Sequence, residues 1–202
     1  MIQRLALALA LLGLLPGCFM LGSSPDISLA QARVSSDFDT YDIRRVGFLP
    51  FDGRDIAAAR AQEIQRAFHS EFSQSTPFEI VLLGERELAE LTPSDPYIRG
   101  SYDPRTIIGL SRRYNFDAIF FGTITQERFF PPQVLSLQLD LVAAETGLVV
   151  WSGSVHLDAD EPRVAEGLQM YYGGVDDEAW QMALISPERF ARFAAFQMAC
   201  LL

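Results

Sequence analysis

The sequence contains no lysine, and all 16 of its basic side chains are arginine. This absence excludes a Walker-type phosphate-binding loop, a lysine Schiff base and a lysine general base. Cysteine and histidine are scarce, at two each, and lie too far apart in the sequence to form a zinc site by themselves. We therefore expect no metal and no cofactor.

Acidic residues outnumber basic ones, since 26 acidic and 16 basic residues give a formal net charge of −10. A nucleic-acid-binding protein needs a basic face to contact phosphates, so we expect no nucleic-acid partner. Apolar residues make up 49% of the 202 residues and charged residues 21%. This composition predicts one folded domain of ordinary size with a substantial core.

The N-terminal residues have the pattern of a targeting signal. Arg4 precedes an unbroken apolar run of 11 residues, from Leu5 to Leu15. A helix of that length is too short to cross a hydrocarbon core of about 30 Å. The run is typical of the hydrophobic region of a signal peptide.

The apolar run ends in Leu15-Pro16-Gly17-Cys18, which resembles the lipobox of bacterial lipoproteins. The resemblance implies cleavage between Gly17 and Cys18, a diacylglycerol on the Cys18 sulfur and an acyl chain such as palmitate on its amine. Phe19 stands where an aspartate would resemble an inner-membrane retention signal, which favours the outer membrane, facing the periplasm. The alternative is an ordinary cleaved signal peptide with an incidental Cys18.

If Cys18 is lipidated, Cys200 is left without a cysteine partner, and no internal disulfide forms. Cys200 lies in an apolar C-terminal stretch. We expect it to be a small buried apolar residue.

Composition divides the chain into three segments: a signal peptide at 1–17, a lipidated tether at 18–43 and an α/β domain at 44–202. The tether contains Gly22-Ser23-Ser24-Pro25 and a polar stretch without apolar periodicity. Such a segment lets a domain stand off the membrane. We expect the domain to begin near Arg44.

Apolar periodicity predicts a single domain of α/β class in the order β-α-β-α-β-β-β-α-α. The early helices connect parallel strands and the late strands form an antiparallel hairpin, so we expect a mixed sheet with helices packed on it. Strands are predicted near 46–51, 78–83, 117–125, 135–141 and 149–157, and helices near 56–73, 104–114, 164–172 and 186–201. A further short helix is predicted at 85–91, followed by a loop at 92–103.

Particular residues position these helices. Asp55 is the predicted N-cap of the first helix. The last helix is predicted from Ser186-Pro187-Glu188, which supplies a cap, a first-turn proline and a first-turn acid. On the first helix, we assign the solvent side to Arg60, Glu63, Arg66 and Glu71.

The hairpin has the clearest pattern. Leu135, Leu137, Leu139 and Leu141 alternate with polar residues, which indicates a strand with one buried face. Glu145-Thr146-Gly147 supplies the turn, and Trp151 lies on the returning strand. We expect the four leucines and Trp151 to be buried on the same side of the sheet.

These segments together resemble the curli-secretion (CsgG-like) lipoproteins and the related penicillin-binding-protein activator lipoproteins. The matching residues are Pro50 at the end of the first strand, Asp117 and Gly122 in a DAIxxGxIT strand, the Glu145-Thr146-Gly147 turn and Trp151. The resemblance covers roughly residues 44–157 and implies an α/β fold and an envelope location. Pore-forming members carry long additional hairpins, whereas residues 126–133 form only a short connection here.

Two further interpretations, a catalytic site and a metal site, have weaker support in the sequence. Ser152, Ser154, His156 and Asp158 lie on one strand, where adjacent same-side residues are about 7 Å apart, too far for a Ser–His hydrogen bond. The acidic groups Asp158-Asp160-Glu161 and Asp176-Asp177-Glu178 lack the spacing of a calcium loop, and we interpret them as solvated surface. Tyr171, Tyr172 and Trp180 are interpreted as packing residues.

The candidate contact with a partner is the loop Phe129-Phe130-Pro131-Pro132. Aromatic and proline residues in a loop often mark an interface. The alternative is that this loop folds back over the hairpin.

The sequence predicts a non-enzymatic, lipid-anchored envelope protein with an assembly, scaffolding or secretion-accessory role. Its partners are the membrane, through the lipid, and another envelope protein, and a homo-oligomer is left open. The alternatives are a periplasmic module that binds a small solute and a hydrolase.

Lipidation of Cys18 is directly testable by mass spectrometry of the mature N-terminus. We expect a chain that begins at Cys18 and carries the mass of a diacylglycerol and an acyl chain. An unmodified terminus beyond residue 18, or an uncleaved Met1, would contradict the prediction.

Overall fold

The computed structural model describes residues 28–53, 56–86, 97–98, 101–102, 104–173 and 178–202. This part of the chain has the predicted α/β class, with a mixed sheet and helices packed on it. The strands are β1 Ala30–Val34, β2 Arg45–Phe48, β3 Asp52–Gly53, β4 Glu79–Leu82, β5 Tyr97–Ile98, β6 Ser101–Tyr102, β7 Ala118–Arg128, β8 Val134–Ala143 and β9 Val149–Asp158. The helices are α1 Ala58–Ser75, α2 Pro104–Tyr114, α3 Pro162–Tyr172, α4 Ala179–Ala183 and α5 Pro187–Ala199.

The main sheet has the strand order β1-β9-β8-β7-β2-β4, and β3 also pairs with β7. Strands β2, β3, β4 and β7 pair in parallel, whereas β7, β8, β9 and β1 pair antiparallel. Strands β5 and β6 form a separate two-stranded sheet. The mixed pairing confirms the expectation drawn from early helical crossovers and a late hairpin.

One face of the sheet is covered by α1 and α5, which also pack against each other. The centre of this face is aromatic, with rings in tilted or edge-to-face contact at centroid separations of 5.3–6.4 Å. These rings come from both helix and strands: Phe48, Phe51, Phe68, Phe72, Phe120 and Trp151. The Trp151 indole donates to the backbone oxygen of Leu201 at 2.9 Å, which attaches the C-terminus to the sheet.

The opposite face is covered only in part. Helix α2 contributes Ile107 and Leu110 to a second apolar cluster, which packs on Ile119 and Phe121 of β7. The β8 and β9 side chains on this face are mostly polar. The sheet therefore has one fully apolar face and one face that changes from apolar to polar across its width.

The β8–β9 hairpin forms in the predicted place. Its turn depends on Gly147, whose φ of 69° favours glycine because a Cβ strains the left-handed region. The resulting register places Leu139 opposite Gly153 and Leu141 opposite Trp151. Leu135, Leu137, Leu139, Leu141 and Trp151 are all buried in the same cluster, as predicted.

Position 153 requires glycine because the Trp151 ring lies against it. A side chain there would collide with the ring of Trp151, which lies over it. On the other side of Leu139 the paired residue is Gly122. Leu139 therefore lies between two residues that have no side chain, and aromatic rings fill the space above them.

Asp117, the residue before β7, is hydrogen-bonded to the start of β2. Its carboxylate accepts hydrogen bonds from the backbone N–H groups of Arg44 and Arg45, at 3.0 and 2.9 Å. These residues immediately precede Val46, the first β2 residue that pairs with β7. The carboxylate therefore sets the start of that pairing.

The predicted tether is shorter than the sequence indicated. Residues 30–34 form β1, an edge strand that pairs with β9, and Phe38, Tyr41 and Ile43 pack against the core. Ala30 is the only buried residue of this strand. Because its other side chains are exposed, β1 has no apolar alternation by which it could be recognised, and the ordered domain begins before Arg44.

Other boundaries shift by a few residues. Strand β7 continues to Arg128 through a register shift between Ile124 and Gln126, where polar residues suggested a loop. The last helix begins as predicted, with the Ser186 hydroxyl accepting from the Arg189 N–H. Cys200 is exposed rather than buried, because it continues the solvent-side row that runs through Glu188 and Arg192 at four-residue spacing.

Several predicted features lie outside the described residues. They are the signal peptide, Gly17 and Cys18, the first part of the tether, the Asp55 cap, most of the helix at 85–91, most of the loop at 92–103, and Asp176 with Asp177. Among the helices that the structure describes, none combines the length and apolarity needed to span a membrane.

Leu139→Ala tests the buried face of the hairpin. We expect the free energy of unfolding to fall by about 2–5 kcal/mol, because the cavity opens between two glycines that cannot fill it. Urea denaturation measures the change. Ser154→Ala on the opposite, exposed face is the control, with a change within about 0.5 kcal/mol. Equal effects of the two substitutions would show that the face is assigned wrongly.

Candidate functional site

The β7–β8 loop, residues 129–133, divides its aromatic residues between two environments. Phe129 is half-buried against the main core, and the Arg60 guanidinium lies 5.0 Å from its ring centroid. Phe130, the next residue, is 83% exposed. Pro131 is exposed and Pro132 is half-buried. Phe129 therefore packs back on the domain, as in the alternative interpretation, whereas Phe130 is accessible and its contact with a partner stays a prediction.

The two ends of the loop are held by polar contacts. The Arg128 side chain donates to the Pro132 oxygen at 2.9 Å. The Gln133 side-chain amide is fully buried and its N–H donates to the Ala183 oxygen at 3.2 Å, while the Gln133 backbone oxygen accepts from the Ala159 N–H. The loop is therefore attached to α1, α4 and the end of β9, and it presents Phe130 to solvent.

A serine and a histidine meet on the polar face of the sheet. Ser136 Oγ and His156 Nδ1 are 2.6 Å apart, across the β8–β9 pairing. The serine is not one of those that the sequence nominated. Ser152 instead donates to Asp140 on β8, and Ser154 is exposed.

Around this pair lies an open groove of about 490 Å³. Its polar lining consists of hydroxyl, amide and charged side chains, namely Ser28, Gln31, Thr125, Ser136, Gln138, Ser154, His156, Glu161 and Arg163. The groove lies on the part of the sheet face that α2 does not cover. Such side chains can donate and accept hydrogen bonds but supply little apolar surface for holding a ligand.

The Ser136–His156 pair lacks the other parts of a hydrolytic site. Within the described residues, no carboxylate forms a hydrogen bond with His156 that would orient its ring; Asp158 instead accepts from the Asp160 N–H at 3.0 Å. Strand β8 lies between β7 and β9, so its backbone N–H groups are used in the sheet. The backbone of β8 therefore supplies no oxyanion site beside Ser136.

Neighbours along one strand do not predict this pair, because Ser136 and His156 lie on different strands. A local signal was present, since residues 136 and 156 are equally distant from Thr146 at the centre of the predicted turn. An antiparallel hairpin brings such residues opposite each other. The same counting pairs Leu139 with Gly153 and Leu141 with Trp151, as the structure shows.

A second cavity, of about 340 Å³, lies between the start of α1 and the ends of β2 and β4. It is lined by Phe51, Gln62, Gln65 and Gly84, among others. The Gln65 amide, which is buried, already donates to the Phe48 and Leu83 oxygens at 3.4 and 3.1 Å. Its role is to join β2, β4 and α1 rather than to bind a solute.

Glu71 was predicted on the solvent side of α1, but it is only 9% exposed. It lies where α1 meets α3 and α5, beside the Tyr171 side chain. Burial raises the pKa of Glu71, and the Tyr171 hydrogen bond and the Arg192 charge partly oppose this rise. The periodicity of α1 alone could not show that a second helix layer covers this side.

Tyr171 and Tyr172 are packing residues, as predicted. The Tyr171 ring lies 4.6 Å from that of Phe196 and 5.7 Å from that of Phe193, measured between centroids. Burial raises the pKa of both phenols, that of Tyr172 to about 12. The Tyr172 hydroxyl donates to the Arg189 oxygen, so the pair joins α3 to α5.

In the described part of the chain, no group of three or more histidine, cysteine, aspartate or glutamate side chains is placed to hold a metal ion. Asp160 and Glu161 are exposed in the turn after β9.

Comparison with known proteins finds similarity in solved structures only. No protein-family model and no curated protein matches the chain. The PelC dodecamer from Paraburkholderia phytofirmans is similar over 79% of this chain and 96% of its own, at 9% identity and a TM-score of 0.46. Lipoprotein GNA1162 from Neisseria meningitidis is similar over 56% and 79%, at 14% identity and a TM-score of 0.41. The LpoB C-terminal domain from Salmonella enterica is similar over 61% and 91%, at 19% identity and a TM-score of 0.40.

The substitution Glu71→Gln tests the buried carboxyl group. A raised pKa means that the folded state binds the Glu71 proton more tightly than the unfolded state does. The wild type therefore loses stability as the pH rises from about 4.3, the ordinary pKa of glutamate, through the raised pKa of the folded state. Glutamine keeps an acceptor for Tyr171 without the charge. We expect Glu71→Gln to have the higher free energy of unfolding at pH 7.5.

The advantage of Glu71→Gln should shrink as the pH is lowered towards 4.3, as measured by urea denaturation across this range. Glu166→Gln, at an exposed position on α3, is the matched control and should track the wild type. An advantage that grows on acidification would contradict the assignment.

Proposed function

We propose that this chain is a lipid-anchored, non-enzymatic protein of the bacterial cell envelope, with an assembly, scaffolding or secretion-accessory role. The observation that carries the proposal is Cys18 at the end of an 11-residue apolar run, in the sequence Leu15-Pro16-Gly17-Cys18. Its location is the outer membrane, facing the periplasm. Several acyl chains on one residue hold a protein stably on a membrane, since each buried methylene contributes about 0.8 kcal/mol.

The polar groups of the described domain support recognition rather than catalysis. Gln65 joins strands to a helix, Ser152 is engaged by Asp140, and Ser136 and His156 lack an orienting acid and an oxyanion site. A nucleophile without these parts gains little over water. The domain therefore acts through its surface, and its contact with the envelope is assigned to the exposed part of the 129–132 loop.

An accessory role requires at least one further envelope component. Affinity capture from detergent-solubilised envelopes identifies protein partners, and sedimentation of the purified lipoprotein determines whether it forms a homo-oligomer. Binding of another envelope protein and formation of a homo-oligomer are both part of the proposal.

His156→Ala separates recognition from catalysis. We expect the substitution to leave the set of captured envelope proteins unchanged, because the imidazole has no catalytic partner beyond Ser136. A fluorophosphonate probe, which labels activated serines, should label neither the wild type nor His156→Ala. Labelling of Ser136 that disappears in His156→Ala would overturn the non-enzymatic assignment.

A further inference from the structure

Phe130 is presented by a loop that is fixed on both sides. Phe129 packs beside Arg60 on α1, and Gln133 is buried against Ala183 of α4. Pro131 and Pro132 restrict the backbone between these two points. A phenylalanine ring that is 83% exposed on a restricted loop loses little conformational freedom when it enters an apolar or interfacial environment.

The same end of the sheet receives the chain from the N-terminus. Strand β1 begins at Ala30 opposite Val155, and β9 pairs Asp158 with Val134 at the exit of the loop. Because Val155 pairs with Leu137, the start of β1 lies two strand spacings of about 4.8 Å across the sheet and three residues, about 10 Å, along it from Val134. Ser28 and Ser136 line one groove, which confirms that they are neighbours.

The length of the leader restricts the orientation of the domain. Nine residues lie between Cys18 and Ser28, and the ten Cα–Cα steps span at most about 36 Å when extended. A strand of ten or eleven residues, such as β8 or β7, is itself about 35 Å long. A lipid at Cys18 therefore keeps the Ser28 end of the sheet near the membrane and gives Phe130 a high effective concentration there.

We propose that Phe130 inserts into the headgroup region of the membrane that holds the acyl chains of Cys18, so that the 129–132 loop seats the domain on the lipid surface. The inference rests on the lipid anchor of the proposed function. Phenylalanine is among the side chains by which interfacial segments bury an apolar face at the boundary between headgroups and acyl chains. A single phenylalanine binds too weakly to act alone, but the anchor supplies the remaining affinity.

The charges around the loop indicate which lipid surface it contacts. Asp160 and Glu161 are exposed in the turn after β9, Arg163 is exposed at the start of α3, and Arg128 is exposed at the end of β7. These charges are of both signs and form no basic patch that would attract anionic lipid. We therefore assign the contact to the ring and to a zwitterionic surface, with phosphatidylethanolamine or phosphatidylcholine headgroups.

Fluorescence quenching by brominated lipid tests the insertion in the full, lipidated protein. The protein is reconstituted in phosphatidylethanolamine–phosphatidylcholine vesicles as Phe130→Trp. The matched variant is Leu148→Trp, since Leu148 is 61% exposed on the β8–β9 turn at the opposite end of the sheet. The emission of the parent, which contains Trp151 and Trp180, is subtracted.

We expect brominated lipid to quench the added emission of Phe130→Trp and to leave that of Leu148→Trp unchanged. Adding phosphatidylglycerol should not increase the quenching. Equal melting temperatures of both variants and the parent show that the fold is retained. If Phe130→Trp lowers the melting temperature, the readout becomes the protection of Phe130→Cys from a water-soluble maleimide.

The outcomes separate the two proposals. If the parent does not float with vesicles, the lipid anchor and the proposed function fail. If it floats but residue 130 is neither quenched nor protected, or is covered only by a captured protein, the insertion is overturned and the anchor stands. Quenching at residue 148 alone, or quenching that depends on phosphatidylglycerol, also overturns it.

Discussion

The register of the β8–β9 hairpin is the constraint on which the rest of the structure depends. A turn at Gly147, the left-handed position, pairs Leu139 with Gly153 and Leu141 with Trp151. A shift by one residue would turn all four leucines of β8 to the polar face. The aromatic core, the packing of α1 and α5 and the attachment of the C-terminus through Trp151 all require this one alignment.

The same alignment produces the polar face. With the leucines directed to the core, Ser136, Gln138 and Asp140 must face the other way, and β9 places His156 and Ser152 opposite them. The Ser136–His156 contact is thus a consequence of strand pairing between polar residues. Strand register alone is enough to bring the two side chains together.

The polarity of the strands also assigns different roles to the two ends of the sheet. At one end of the sheet lie the 129–133 loop, the turn after β9 and Ser28, which precedes β1. The other end carries the Gly147 turn with Leu148 exposed. Because the chain enters at only one end, a lipid anchor would make the two ends unequal, and in the proposed arrangement the loop end faces the membrane.

Local chemistry in the sequence was sufficient to predict the α/β class, the alternating leucines of β8, the glycine turn and the start of α5 at Ser186-Pro187. Each of these depends on periodicity or on backbone preference within a few residues. The leader ending in Cys18 is likewise a local pattern, and it determines the proposed location. Strand β1 was missed, since a short edge strand with exposed side chains has no periodic signal.

Only the tertiary structure decided how these local elements share their surfaces. It buried Glu71 because α3 and α5 cover a side of α1 that helical periodicity alone assigns to solvent. It separated Phe129 from Phe130, since the position of Arg60 and the core depends on long-range packing. The physical reason is the same in each case: burial is decided by the partner that arrives from a distant part of the chain, which no local pattern contains.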